Sequence, residues 1–128
     1  MLYDITRKAV QLEVIGEVHD AALGNTRDTL AYRTLSHSLC VRLGAVTTSV
    51  ALEPDVWRRF AFTEDDSALL VADADGLHVH DPATAARIHS VPTGVVPESL
   101  VVRGGHAWLL GRCGALLAFA SPTEPTME

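Results

Sequence analysis

The chain is organised around residues 57–85, WRRFAFTEDDSALLVADADGLHVHDPATA. Apolar runs alternate here with turn-forming residues. An acidic turn follows the first run, Asp75-Gly76 ends the turn after the second, and Asp81-Pro82 follows the third. Such turn residues favour tight connections between antiparallel strands. The stretch therefore predicts three short antiparallel strands in succession.

The same plan recurs along the chain with a period of about 40 residues. The apolar residue that opens the second strand falls at Leu30, Leu69 and Leu109, which are 39 and 40 residues apart. The turn before it falls at residues 24–28, 63–66 and, more weakly, 103–106. Four short strands in each period of about 40 residues are typical of a β-propeller blade.

Thirteen strands are expected, in groups of two, four, four and three. Alternation of apolar and polar residues, as in Val10-Gln11-Leu12-Glu13-Val14, supports the assignment. We expect a propeller-like repeat domain over residues 1–120, with a partial blade at 2–15, blades at 18–52 and 58–91, and a partial blade at 98–119. The predicted strands are 2–5, 9–15, 18–23, 29–34, 38–43, 47–52, 58–62, 68–72, 77–80, 87–91, 98–102, 107–111 and 115–119.

The repeat resembles the degenerate bacterial propeller repeats of the WD-repeat and YVTN type. Residues 62–66, FTEDD, stand where such repeats carry an "FSPDG"-like turn, and His80-Asp81 and Tyr3-Asp4 stand where a "WD" or "YD" pair closes the third strand. Residues 91–100, VPTGVVPESL, are similar to the "PxGxxP" connection between YVTN-type blades. The chain has no Trp-Asp dipeptide. The resemblance implies a propeller whose loops contact ligands around the channel mouth.

About three blades are too few to close a ring, because closed propellers generally need four or more. An open stack would expose an apolar face at each end, and such patches mark interfaces. The sequence therefore predicts a ring closed by oligomerisation, as a six-bladed homodimer, or by a protein partner. Three alternatives stay open: a three-blade stack capped by another protein, a fragment of a longer chain, and a β-sandwich that mimics the period.

Composition restricts the class of protein further. The chain has 128 residues, 48% hydrophobic but only 5% aromatic, so Val, Leu and Ala must build its core. A net charge of −6 argues against nucleic-acid and anionic-membrane partners. Cys40 and Cys113 show no metal-ligand spacing and are expected to be reduced thiols of a cytoplasmic protein. No signal peptide, membrane span or cofactor motif is recognised, and residues 121–128, with two prolines, are expected to be a disordered tail.

The candidate binding residues lie in predicted connections or at the start of the strand that follows one. Trp57, Arg58 and Arg59 begin a strand after a connecting loop, and Trp and Arg are enriched in binding hot spots. Asp73 and Asp75 lie in a hairpin turn, and Arg112 occupies the equivalent turn of the next repeat. We predict that these six residues form a contact surface. The alternative interpretation is packing of Trp57 between blades, local ion pairs for the arginines and a simple turn for the aspartates.

The sequence also leaves an enzymatic alternative open. His78 and His80 are two residues apart on one strand, so they share a face and present two imidazoles to a metal, but no third ligand is identified. A metal-dependent hydrolase or lactonase of the propeller type would use a central-channel site, with the candidates His19, Asp20, Asp73, Asp75 and Glu98. The favoured interpretation is a non-enzymatic binding or scaffold protein that assembles with itself or a partner.

Overall fold

The computed structural model describes residues 2–4, 9–12, 18–25, 29–34, 37–53 and 56–120, with side chains described from Ala21 onward. All thirteen regular elements in these residues are β-strands, so the predicted all-β class is confirmed for this part of the chain. The strands are β1 (Leu2–Asp4), β2 (Ala9–Leu12), β3 (Val18–Leu23), β4 (Thr29–Thr34), β5 (Ser38–Leu43), β6 (Val46–Ala51), β7 (Arg59–Phe62), β8 (Leu69–Asp73), β9 (Gly76–His80), β10 (Arg87–Val91), β11 (Pro97–Arg103), β12 (His106–Gly111) and β13 (Leu116–Ala120).

The strands form four antiparallel sheets in which neighbours in sequence are neighbours in space. A two-stranded sheet contains β1 and β2; the first sheet contains β3–β6, the middle sheet β7–β10 and the last sheet β11–β13. These groups match the expected two, four, four and three strands. Residues 5 and 13–15, at the ends of the first two predicted strands, lie outside the described residues, as does the predicted tail at 121–128.

Most strand ends lie within a residue or two of the predicted ones, and the shifts have local causes. Strand β7 begins at Arg59 rather than Arg58, and the Arg58 guanidinium is bonded to the carbonyls of Glu53 and Val56. Strand β6 begins one residue early, at Val46, because a two-residue turn with Gly44 at φ 61° suffices to join it to β5.

The middle sheet is packed on both faces. Every residue of β8 (LLVAD) and β9 (GLHVH) is buried. Leu69 and Val71 point to the first sheet, whereas Leu70 and Ala72 point to the last sheet, as the two-residue period of a strand requires. The unbroken apolar run Leu69–Ala72 of β8 is the pattern of a strand covered on both sides, and burying one Leu or Val contributes about 1.5–3 kcal/mol.

Two hydrophobic cores therefore join the three larger sheets. The core between the first and middle sheets contains Ala31, Leu39, Val41, Phe62, Leu69, Val71 and Ala85. The core between the middle and last sheets contains Ala68, Leu70, Ala72, Leu77, Val79, Leu100, Ala107 and Leu109. The opening strand of the middle sheet, β7, contacts the opening strands of both neighbours, β3 and β11. The sheets are thus stacked with their first strands side by side.

Hydrogen bonds between the repeated turns also link the sheets. The Asn25 side chain donates to the Thr63 carbonyl at 2.9 Å and to Asp66 Oδ1 at 3.1 Å, and the Asn25 backbone N–H donates to the same Oδ1 at 2.8 Å. One sheet further on, the Gly105 N–H donates to Glu64 Oε1 at 2.7 Å. The turns that reveal the repeat in the sequence are therefore contacts between successive sheets.

The last sheet has one covered face and one open face. Leu100, Ala107 and Leu109 are buried against the middle sheet. The opposite face of the same strands carries Arg103 and His106 together with exposed apolar residues, namely Val101 (49% exposed), Trp108 (40%), Leu110 (39%) and Leu116 (62%). They adjoin one another, since Val101 pairs with Trp108 and Leu110 with Leu116. Within the described residues, β13 is an edge strand of this sheet.

Candidate functional site

The predicted binding residues lie at one end of the sheet stack. Since the strands of each sheet alternate in direction, the start of β7, the β8–β9 turn, the start of β11 and the β12–β13 turn share this end. We call it the crossover end, because the connections from one sheet to the next lie there, at the described residues 52–53, 56–58 and 92–96. The repeated turns at Asn25, Glu64 and Gly105 occupy the opposite end.

Trp57 stands at the centre of a group of charged side chains at the crossover end. Its indole N–H donates to the Pro97 carbonyl at 2.6 Å, which fixes the ring against the start of β11. The Arg59 guanidinium carbon lies 4.2 Å from the ring centroid, and that of Arg112 lies 4.6 Å from it. Both distances are within the range of a cation–π interaction. Two of the predicted arginines therefore meet on the predicted tryptophan.

Glu98 joins this group from β11. Its backbone carbonyl accepts a hydrogen bond from Arg59 Nε at 3.0 Å, and its carboxylate Oε1 lies 3.5 Å from Arg112 Nε. The backbone N–H of Arg112 donates to the Val96 carbonyl at 2.9 Å, which anchors the β12–β13 turn beside the connection before β11. We call Trp57, Arg59, Val96, Glu98 and Arg112 the Trp57 cluster.

The Trp57 cluster is open to solvent. Trp57 is 43% exposed and Val96 is 38% exposed. The side chains of Arg112 and Glu98 are 51% and 49% exposed. Two guanidinium groups and one carboxylate leave a local charge of about +1 on a chain whose net charge is −6. The cluster thus combines an accessible aromatic ring with fixed cations.

Arg58 does not belong to this surface, although the sequence groups it with Arg59. Arg58 is only 4% exposed, and its guanidinium donates to the carbonyls of Glu53 at 3.0 Å and Val56 at 3.3 Å. Burial lowers the pKa of Arg58, and the nearby carboxylate of Asp73 opposes that shift. The structure thus places Arg58 inside, beneath the exposed residues.

Asp73 and Asp75 have different environments in the β8–β9 turn. Asp73 is buried, and its Oδ1 accepts hydrogen bonds from the backbone N–H groups of Asp75 (2.9 Å) and Gly76 (3.1 Å). Asp75 is exposed at the tip. Gly76 is required at this turn, because a Cβ atom there would lie 2.3 Å from the Val91 carbonyl oxygen. Asp73 therefore shapes the turn, while Asp75 remains accessible at the crossover end.

His78 forms a hydrogen-bonded chain that the sequence analysis missed. Its Nε2 lies 2.9 Å from Asp73 Oδ1, and its Nδ1 lies 2.7 Å from the hydroxyl of Ser90. A carboxylate only accepts, so Nε2 donates to it, and Nδ1 lies within hydrogen-bond distance of the Ser90 hydroxyl. Counting the register from the Asp73–Gly76 turn places His78 opposite Val71 and on the same face as Asp73, which was the available signal for that bond. Ser90 could not be found by counting, because the register between β9 and β10 shifts between Arg87 and His89.

His80 is buried beside the first sheet. Its Nδ1 donates to the Ala85 carbonyl at 2.9 Å, whereas its Nε2 has no hydrogen-bond partner among the described residues. Burial, chiefly, lowers the pKa of His80, and the charges of Arg87, His78 and Arg58 act in the same direction. The bond to Ala85 opposes the shift.

The described side chains among the metal and hydrolase candidates do not come together in one site. Both nitrogens of His78 are engaged, and the carboxylates of Asp73 and Glu98 face His78 and Arg112 respectively. Among the described residues, no group of three or more His, Cys, Asp or Glu side chains is arranged to hold a metal ion. The side chains of His19 and Asp20 lie outside the described residues. Cys40 and Cys113 are free thiols, the first half-buried and the second exposed.

The chain was compared with protein-family profiles and with curated proteins. No protein-family profile and no curated protein matches this chain. The described part of the chain contains no helix of the length and hydrophobicity that crossing a membrane requires.

Proposed function

We propose that this chain is a non-enzymatic binding or scaffold protein that mediates assembly through a propeller-like surface. Its sheets would be the blades of a ring that a second copy of the chain, or another protein, completes. The repeat of about 40 residues, the succession of four-stranded antiparallel sheets and the contacts of β7 with β3 and β11 support the propeller interpretation.

The observation that carries the proposal is the open face of the last sheet. In the middle sheet, strands β8 and β9 are covered on both faces by apolar residues of the neighbouring sheets. Four large apolar residues remain exposed on β11–β13: Val101, Trp108, Leu110 and Leu116. A contiguous apolar patch of this kind is typical of an interface. Another sheet stacked on it would bury the patch as the neighbours bury the middle sheet.

The strand composition favours a second copy as the occupant. The last sheet has three strands and ends in the edge strand β13, whereas β1 and β2 form a separate two-stranded sheet within the described residues. Pairing of the N-terminal strand β2 with β13 of another copy would satisfy the backbone groups of β13 and give that sheet the four strands of a complete blade. Exchange of an element between copies is a low-cost route to a two-fold dimer.

The first prediction tests the open face. Leu116 is 62% exposed in the single chain, so Leu116→Lys should leave folding intact but place a charge in the proposed interface. We expect light scattering at micromolar concentration to give the mass of two copies for the parent chain. The Leu116→Lys variant should have the mass of one copy. Val46→Lys is the matched control, because Val46 on β6 is equally exposed. A parent chain with the mass of one copy would rule out completion by a second copy.

A further inference from the structure

The Trp57 cluster defines the chemistry of the ligand that this surface takes. We propose that Arg59 and Arg112, held on the Trp57 ring, bind the carboxylate of an aspartate or glutamate side chain on a protein partner, and that Glu98 is an internal competitor for this site. The inference rests on the proposed binding function and specifies what the partner must present.

The guanidinium groups are already ordered before a ligand arrives. Arg59 is held by its ring contact and by bonds from Nε to the Glu98 carbonyl and from Nη1 to the Arg58 carbonyl. Arg112 is held by its own ring contact and by the anchored β12–β13 turn. Each guanidinium has five N–H donors, so these bonds leave several for a ligand. Because little side-chain freedom remains to be lost, binding here costs less entropy than binding to mobile arginines.

Glu98 shows that a carboxylate fits at this position but does not fill it well. The 3.5 Å between Glu98 Oε1 and Arg112 Nε exceeds the ~2.8 Å typical of a strong charge-assisted hydrogen bond. The Glu98 side chain is also 49% exposed, and ion pairs that exposed contribute little stability. An incoming carboxylate that pairs with Arg112 can therefore displace Glu98 at small cost.

The surroundings favour a carboxylate on a peptide over a polyanion. A net charge of −6 repels nucleic acids and anionic membrane surfaces at long range, whereas a single carboxylate experiences mainly the two nearby guanidinium groups. Trp57 and Val96 expose apolar surface beside the cations. A partner segment with apolar residues next to its acidic residue matches both features of the cluster.

The test uses the full chain and two acetylated, amidated peptides. One alternates leucine with glutamate, and the other carries glutamine in place of glutamate. We expect the glutamate peptide to shift the indole N–H signal of Trp57 in NMR spectra, to leave that of Trp108 in place, and to bind about tenfold more tightly than the glutamine peptide. Its affinity should fall as salt is raised. Equal affinity for the two peptides would overturn the inference, and so would tighter binding of inorganic phosphate at Trp57.

Two substitutions in the Trp57 cluster should change the affinity for the glutamate peptide in opposite directions. Arg112→Gln should weaken binding of the glutamate peptide about tenfold, because it removes a charged donor. Glu98→Gln should instead strengthen binding severalfold, because it removes the competitor; a purely structural role for Glu98 predicts no such gain. Both side chains are half exposed, so thermal melting should show folded variants. Arg103→Gln, an exposed arginine at the opposite end, is the control and should change nothing. Weaker binding by Glu98→Gln would contradict the proposal.

These results separate the two proposals. A single-copy chain that distinguishes the peptides contradicts ring completion by a second copy and supports the carboxylate site. A two-copy chain that does not distinguish them contradicts the carboxylate site and supports the assembly.

Discussion

At the scale of single residues, the middle sheet buries ionisable groups that most sheets keep at the surface. His80 is 3% exposed, and Arg58, Asp73 and His78 are similarly enclosed. Asp73 and His78 are hydrogen-bonded to each other, and the Arg58 guanidinium donates to backbone carbonyls. In contrast, Nε2 of His80 has no hydrogen-bond partner among the described residues. A proton added there would place a charge between two packed sheets and beside Arg58 and Arg87.

We therefore expect the free energy of unfolding to fall as the pH drops below about 6.5, the ordinary histidine pKa. The pKa of His80 is lowered in the folded chain, so the unfolded chain binds the proton first and is favoured at acid pH. Each unit of lowering corresponds to ~1.4 kcal/mol. Denaturant unfolding at pH 7 and pH 5 measures the effect, and His80→Gln, which keeps a donor for the Ala85 carbonyl, should reduce it. His89→Gln, at an exposed position, is the control; an undiminished pH effect in His80→Gln would show that other groups cause it.

At the scale of elements, the turns between first and second strands hold adjacent sheets together. Asn25 bonds the first sheet to the middle sheet, and Glu64 bonds the middle sheet to the last. These hydrogen bonds lie at the end opposite the Trp57 cluster. At the crossover end, Trp57 and Arg59 also link the middle and last sheets, by hydrogen bonds to the backbone carbonyls of Pro97 and Glu98. Each pair of neighbours among the three larger sheets therefore has an apolar core and at least one hydrogen bond between the sheets at its edge.

The Asn25 side chain should contribute measurably to stability. Asn25→Ala removes the bonds to the Thr63 carbonyl and to Asp66 Oδ1 but leaves the backbone N–H bond in place. We expect a loss of about 1 kcal/mol, equivalent to roughly 3–6 °C in melting temperature for a chain of this size. Ser49→Ala, on the exposed surface of β6, is the matched control in calorimetry. Equal melting temperatures for the two variants would show that the turn contact adds nothing.

At the scale of the whole molecule, the three larger sheets make a stack whose last face is uncovered. Stacked sheets bury apolar area only where they have a neighbour, and the exposed Trp108 and Leu116 lie on a face that no other sheet covers within the described residues. If exchange of an N-terminal strand completes the ring, deleting residues 1–16 should convert a two-copy assembly into single chains. Deleting residues 121–128, the predicted tail, should not. Sedimentation of both truncated chains measures this, and an unchanged assembly without residues 1–16 would contradict strand exchange.

The sequence predicts the strands well but not the contacts between distant residues. Alternating apolar residues and turn signals located all thirteen strands, because both are local properties. The meeting of Trp57 with Arg112 depends on which sheets are stacked, and nothing local encodes that contact. Arg58 and Arg59 illustrate a second limit. Successive residues of an extended chain point in opposite directions, but only the neighbouring sheets decide which of the two is enclosed.

The burial of the middle sheet on both sides also bears on how this chain can evolve. In a strand with one solvent-exposed face, every second residue can be replaced by a polar one without loss of packing. Strands β8 and β9 lack that freedom, because each of their ten residues is enclosed. Accepted changes should therefore accumulate in the outer strands and loops, and β8–β9 should be the segment by which distant descendants of this gene are still recognised.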